Sequence, residues 1–239
     1  MLEAAVADTL AGERNPRLVR GSLLTAPVVV AIPAAALFEP LLVLVAVPSA
    51  LFLVGYVGSV FSTPLAAATV PPLTDWTNLL RTGVVATTIW IGLVAVPTLA
   101  IGAILTFEIA GNPLAPQSAF WLDVSVVGFV FVVGSYVTPA VVLARLSPDL
   151  ATDRSTVRTA RSVATSRAYV VASLQAVLIA VTAGGVAIML LVTVFGLVFV
   201  PTAVFLAVTV IARRYAYAAV AAVDPALYAT LEEPSLSWF

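Results

Sequence analysis

The sequence predicts an all-α, polytopic integral membrane protein with six transmembrane helices in three hairpins and both termini cytoplasmic. Three observations carry this expectation. Of 239 residues, 62% are hydrophobic and only 10% charged, and the mean hydropathy is +1.12; a soluble domain needs about a quarter of its residues charged to cover its surface. The apolar residues fall into runs near the roughly 20 residues that a helix needs to cross a hydrocarbon core about 30 Å thick. All 11 basic residues are arginine, and they gather in alternate connections, as short cytoplasmic loops do.

Residues 1–20 read as a cytoplasmic segment. Leu2, Val6 and Leu10 recur at helical spacing, giving a surface helix stopped by Gly12. A cleaved leader is the rival reading, but the long segment before the apolar run contains Glu3, Asp8 and Glu13, unlike a short basic leader. The first span, 21–37, is short and holds Pro27 and Pro33; the second, 41–61, follows Glu39-Pro40. The third, 83–105, is preceded by PPLTDWTNLLRTG, which reads as a short interfacial helix capped by Thr74 or Asp75. The fourth, 124–144, has Asp123 placed to cap its start. A cytoplasmic helix at 148–167 begins at Ser147-Pro148-Asp149. From Tyr169 to Ala212 there is no charge, and the stretch is long enough for two spans. The turn is expected at Gly196 to Pro201, giving spans 169–195 and 200–217 and leaving 218–239 as a cytoplasmic tail.

The charges sort by side. Arg14, Arg17 and Arg20 precede the first span, Arg81 lies before the third, Arg145, Arg154, Arg158, Arg161 and Arg167 lie between the fourth and fifth, and Arg213 and Arg214 end the sixth. The opposite turns hold Glu39, Glu108 and Asp123. An even number of crossings in a cell membrane follows.

Composition excludes several chemistries. With no lysine there is no Schiff base and no P-loop lysine; with no histidine and no cysteine there is no Ser-His or Cys-His pair, no imidazole-bound zinc or haem, and no thiolate cluster. The expectation is a protein without catalytic residues, cofactor or metal. A net charge of -1 argues against a nucleic-acid partner. Asp149 and Asp153 share a helix face and could hold Mg²⁺, but no second aspartate-rich motif accompanies them; acids complementing a helix start account for them. Gln175 reads as an interhelical hydrogen-bonding group, and Thr87-Thr88 as bonded to its own helix. Arg154, Arg158 and Arg161 share one flank, beside a stripe of Val157, Ala160 and Ala164. They read either as a contact for anionic lipid headgroups or as the solvated face of a connecting helix. Trp76 and Trp121 are expected as interface anchors, with Trp90 near the interface.

The three hairpin entries, NPRLVRGSLLTAPVVVAI, TNLLRTGVVATTIWIGLV and ARSVATSRAYVVASLQAVLI, share a faint pattern that also arises by coincidence. Three stretches carry a more specific likeness: GYVGSVFSTPLAAATVPPLTDWTNLLRTG, YVTPAVVLARL with its polar helix and SRAYVVASL, and FVPTAVFLAVTVIARRYAYA. Together they resemble a family of haloarchaeal integral membrane proteins known as the domain of unknown function numbered 4013. The first is similar to that family's Gly-Tyr exit from the second helix, its proline-bearing loop and its Asp-Trp before the third, though the loop here is poor in acids and glycines. The resemblance covers most of Gly21 to Ala218 and implies a polytopic membrane protein, with no catalytic residue or ligand. An all-arginine, cysteine-free chain fits a GC-rich halophile, although its pI of about 5.3 is less acid than soluble halophilic proteins tend to be.

The functional expectation is a non-enzymatic scaffold, accessory subunit or lipid-organising component, partnered by the bilayer and by another membrane protein or a second copy. The alternative is a small uncoupled permease or channel for a neutral or apolar solute; a lipid-modifying enzyme is the remote third reading. A permease needs a polar cavity reaching the midplane, and a scaffold needs a packed bundle with an apolar interface.

Overall fold

The structure is a computed structural model describing residues 14–37, 43–65, 71–110, 117–150, 155–191 and 196–232, with 2, 5, 6, 9 and 41. Regular structure among them is entirely helical. In order these are α1 (Arg14–Leu37), α2 (Val43–Ser62), α3 (Trp76–Trp90), a π-helical segment (Ile91–Ala95), α4 (Val96–Ala110), α5 (Gln117–Leu146), α6 (Thr156–Ala164), α7 (Arg167–Leu191), α8 (Gly196–Val223) and α9 (Pro225–Glu232).

Among the described residues, five helical runs are long and apolar enough to cross a membrane: Leu44–Ser62, Trp76–Phe107, Val124–Leu146, Arg167–Leu190 and Phe199–Val223. They correspond to the second through sixth expected spans. The first expected span lies within α1, whose 24 residues reach about 36 Å at 1.5 Å each. α1 is not one of the five found among the described residues.

Several boundaries differ from expectation for identifiable reasons. The separate interfacial helix is instead the first turns of a run continuous from Trp76. Asp75 caps it, its carboxylate accepting from the Asn78 N–H at 3.0 Å. α5 starts at Gln117, so Asp123 sits inside the helix and does not cap it. α8 already begins at Gly196, so the connection precedes the expected Gly196 to Pro201 turn and falls on 192–195, outside the described residues. Pro201 lies inside the helix, at the cost of one backbone bond near its start. The helix expected at 148–167 is a 3₁₀ turn at Pro148–Leu150 followed by the separate α6. Asp149 turns away from its own helix to accept from the Leu65 N–H at 2.9 Å. The expected tail is helical through residue 232. Its first part continues α8 with Ala218, Ala219 and Val220 buried.

Small residues set the closest helix approaches. α2 and α3 cross where a Cβ on Gly55 would overlap the Leu79 carbonyl and one on Gly83 the Leu51 carbonyl. α1 lies along α8 with Gly21 against the Phe205 ring and Ser22 Oγ 2.7 Å from Thr202 Oγ1. α7 packs almost entirely on α8, so the outer part of α7 and the α4–α5 hairpin present Leu178, Met189, Leu99 and Phe129 outward. The three expected hairpins are not independent units, since α2 packs on α3 and α1 on α8 across hairpin boundaries.

The arginine-bearing segments meet at one end of the bundle. Arg20 Nη1 donates to the Leu73 carbonyl at 3.3 Å, Arg213 Nη2 to that of Leu65 at 3.2 Å, and Asp149 holds the Leu65 amide from the other side. The core lies there: Tyr56, Val60, Leu65, Leu73, Leu143, Leu150, Val163 and Val220 are all buried.

Candidate functional site

The site is an apolar groove of about 510 Å³ between α2, α3, α5 and α8. Residues at helical intervals build each wall. α2 contributes Val47, Ala50, Leu51, Val54, Gly58 and Phe61; α3 contributes Ala86, Thr87 and Trp90; α5 contributes Thr138, Pro139 and Val142; α8 contributes Val208, Ile211, Ala212 and Tyr215. Among the described residues, none that lines the groove is charged.

The groove is closed at one end and open at the other. Toward the arginine-bearing end its walls are Phe61 at 4% exposed, Val142 at 4% and Ala212 at 2%, whereas at the far end Val47 is 52% exposed and Trp90 40%. Of its few polar groups, Thr138 Oγ1 donates to the Gly134 carbonyl at 2.8 Å. The Tyr215 ring packs tilted against Tyr169 with centroids 5.1 Å apart, and Tyr169 packs edge-on against Tyr136 at 5.2 Å. That aromatic row is tied down by Tyr169 Oη donating to the Tyr136 carbonyl at 2.8 Å, and by Tyr136 Oη donating to that of Ala164 at 2.6 Å.

Beyond the closed end lie buried arginines. Arg213 is 0% exposed, Arg214 2% and Arg17 7%. Arg213 also stands over the Tyr217 ring, 5.5 Å from its centroid. Arg214 Nε donates to Gln175 Oε1 at 2.6 Å, the interhelical bond expected of that glutamine. Arg17 Nη2 donates to the Thr9 carbonyl. Arg213 and Arg214, expected to end the sixth span, instead lie within a helix that continues to Val223, and both are buried, with the Leu65 carbonyl accepting from Arg213.

Of the expected lipid-contact residues, Arg158 and Arg161 are exposed on α6, and Arg154 lies outside the described residues. The stripe beside them differs from expectation. Val157 is 77% exposed, while Thr159, Ala160 and Val163 form the buried face. Asp153, Glu39 and the side chains of Glu108 and Asp123 fall outside the described residues. Trp76 is exposed and packs edge-on against Phe52, with centroids 5.6 Å apart; Trp121 is exposed on the first turns of α5. Trp90, expected near the interface, lines the groove at its exposed end.

Sequence reasoning missed the groove because it is made by four helices, none of whose contributions is unusual by itself. The available signal was Trp90 beside alanine and threonine within an apolar run. The chain matches no family model, no curated protein and no solved structure.

Proposed function

We propose that this protein is a non-enzymatic membrane component that organises lipid by seating one hydrocarbon chain in the groove. The observation that carries this reading is a large, uncharged groove, closed at one end and open at the other beside Val47 and Trp90. Its apolar walls, open to the surroundings at Val47, Val54 and Trp90, are covered in a bilayer by hydrocarbon. Water does not fill it, because an apolar wall gives water no partners. Between Val47 and Phe61 the groove runs along α2 for about 21 Å. A helix about 10 Å across does not fit; an extended alkyl chain, whose carbons touch neighbours at about 4 Å, does. The chain enters methyl end first, and its headgroup stays outside.

The six-crossing topology in a cell membrane, with α1 as the first crossing and both termini cytoplasmic, belongs to the same proposal. So does kinship with the haloarchaeal membrane family. The one-sided arginines support the topology. A permease is disfavoured by the closed end and the buried arginines beyond it. Lipid extraction and mass spectrometry on the protein purified in mild detergent test the reading, alongside solute flux in liposomes. The expected result is about one lipid chain retained per protein and no flux. Flux of a neutral solute without retained lipid contradicts it.

A further inference from the structure

We infer that the π segment Ile91–Ala95 is the positioning element that holds the groove open; the inference rests on the groove seating a chain. In this segment the Val96 N–H reaches back five residues to the Ile91 carbonyl, inserting one residue into the helical ladder. Pro97 has no N–H to offer the Leu93 carbonyl, so the ladder has no ordinary bond to lose there.

Two tight crossings flank the insertion. Below it, Gly83 and Gly55 fix α3 against the α2 backbone. Above it, a Cβ on Gly134 of α5 would stand 2.7 Å from the Leu93 carbonyl oxygen and 3.1 Å from Val94 Cγ2, and Val94 is fully buried. The lower crossing sets which face of the helix meets α2, and the upper one which face meets α5. One residue turns an α-helix by about 100°, so without the insertion the two crossings cannot both be satisfied. The mouth of the groove, at Val47 and Trp90, lies between these crossings. Trp90 immediately precedes the π segment and lines the mouth; Thr138, one turn beyond Gly134, lines the facing wall. The extra residue therefore sets the separation of the two walls.

Deleting Gly92 removes the insertion, whereas Gly92→Ala preserves it, and a Cβ there meets nothing within 4 Å. Both proteins and the wild type are reconstituted in phosphatidylglycerol vesicles, exchanged into detergent, and compared for phosphatidylglycerol retained per protein and for thermal midpoint. The expected result is retention equal in wild type and Gly92→Ala and lowered about tenfold by the deletion. Equal retention in a folded deletion protein overturns the inference while leaving the lipid reading intact. If the wild type retains none, the lipid reading itself fails. Should the deletion protein not fold, Gly134→Ala, which presses on the Leu93 carbonyl at unchanged length, takes its place: lowered retention supports the inference and wild-type retention overturns it.

Discussion

Arg213 is fully buried, donates to a backbone carbonyl and stands over an aromatic ring, so its charge is distributed across fixed dipoles rather than solvated. Replacing it with Ala removes the hydrogen bond and opens a cavity; Arg213→Ala should lower stability by about 3 kcal/mol, read by thermal unfolding in detergent. Lysine cannot reproduce the guanidinium fork, so Arg213→Lys should recover only part of the loss. Gln175 makes a separate test. Its partner is a buried guanidinium, so Gln175→Leu should cost about 1–3 kcal/mol, above the roughly 0.6 kcal/mol of an average interhelical bond between neutral groups in a membrane. That Gln175 bonds between helices was legible from a lone amide in an apolar run. The burial of Arg213 was not, because it depends on Leu65 and Leu73 arriving from far away in sequence.

Among elements, the crossings depend on glycine where backbone meets backbone. Gly134→Ala should destabilise by about 1–3 kcal/mol. Gly102→Ala, where a Cβ would meet only Val127 Cγ2 at 3.9 Å, should be neutral or slightly stabilising; thermal midpoints of the two variants check the contrast. Apolar run length alone located the five described helices that are long and apolar enough to cross a membrane. Their ends were less legible. Asp123 lies within α5 because the helix extends seven residues before the expected start, and Asp149 abandons a cap for the Leu65 amide. The π segment left only Pro97 as a local sign, because its cause is the mismatch between crossings on α2 and α5.

For the whole molecule, the structure brings Arg20, Asp149 and Arg213 to one end, and the proposed topology places that end in the cytoplasm. The absence of native cysteine makes orientation easy to read. Thr165→Cys should be shielded from an impermeant maleimide in intact cells and Asn112→Cys labelled; the reverse pattern would invert the topology. The central claim is that a lipid chain occupies the groove, and Trp90 in its wall reports this most directly. With Trp76, Trp121 and Trp238 replaced by Phe, the protein is reconstituted with lipid brominated near the chain end and then exchanged into detergent. Trp90 fluorescence should remain quenched, while a matching protein retaining only the exposed Trp121 should recover. Full recovery of Trp90 would contradict the account.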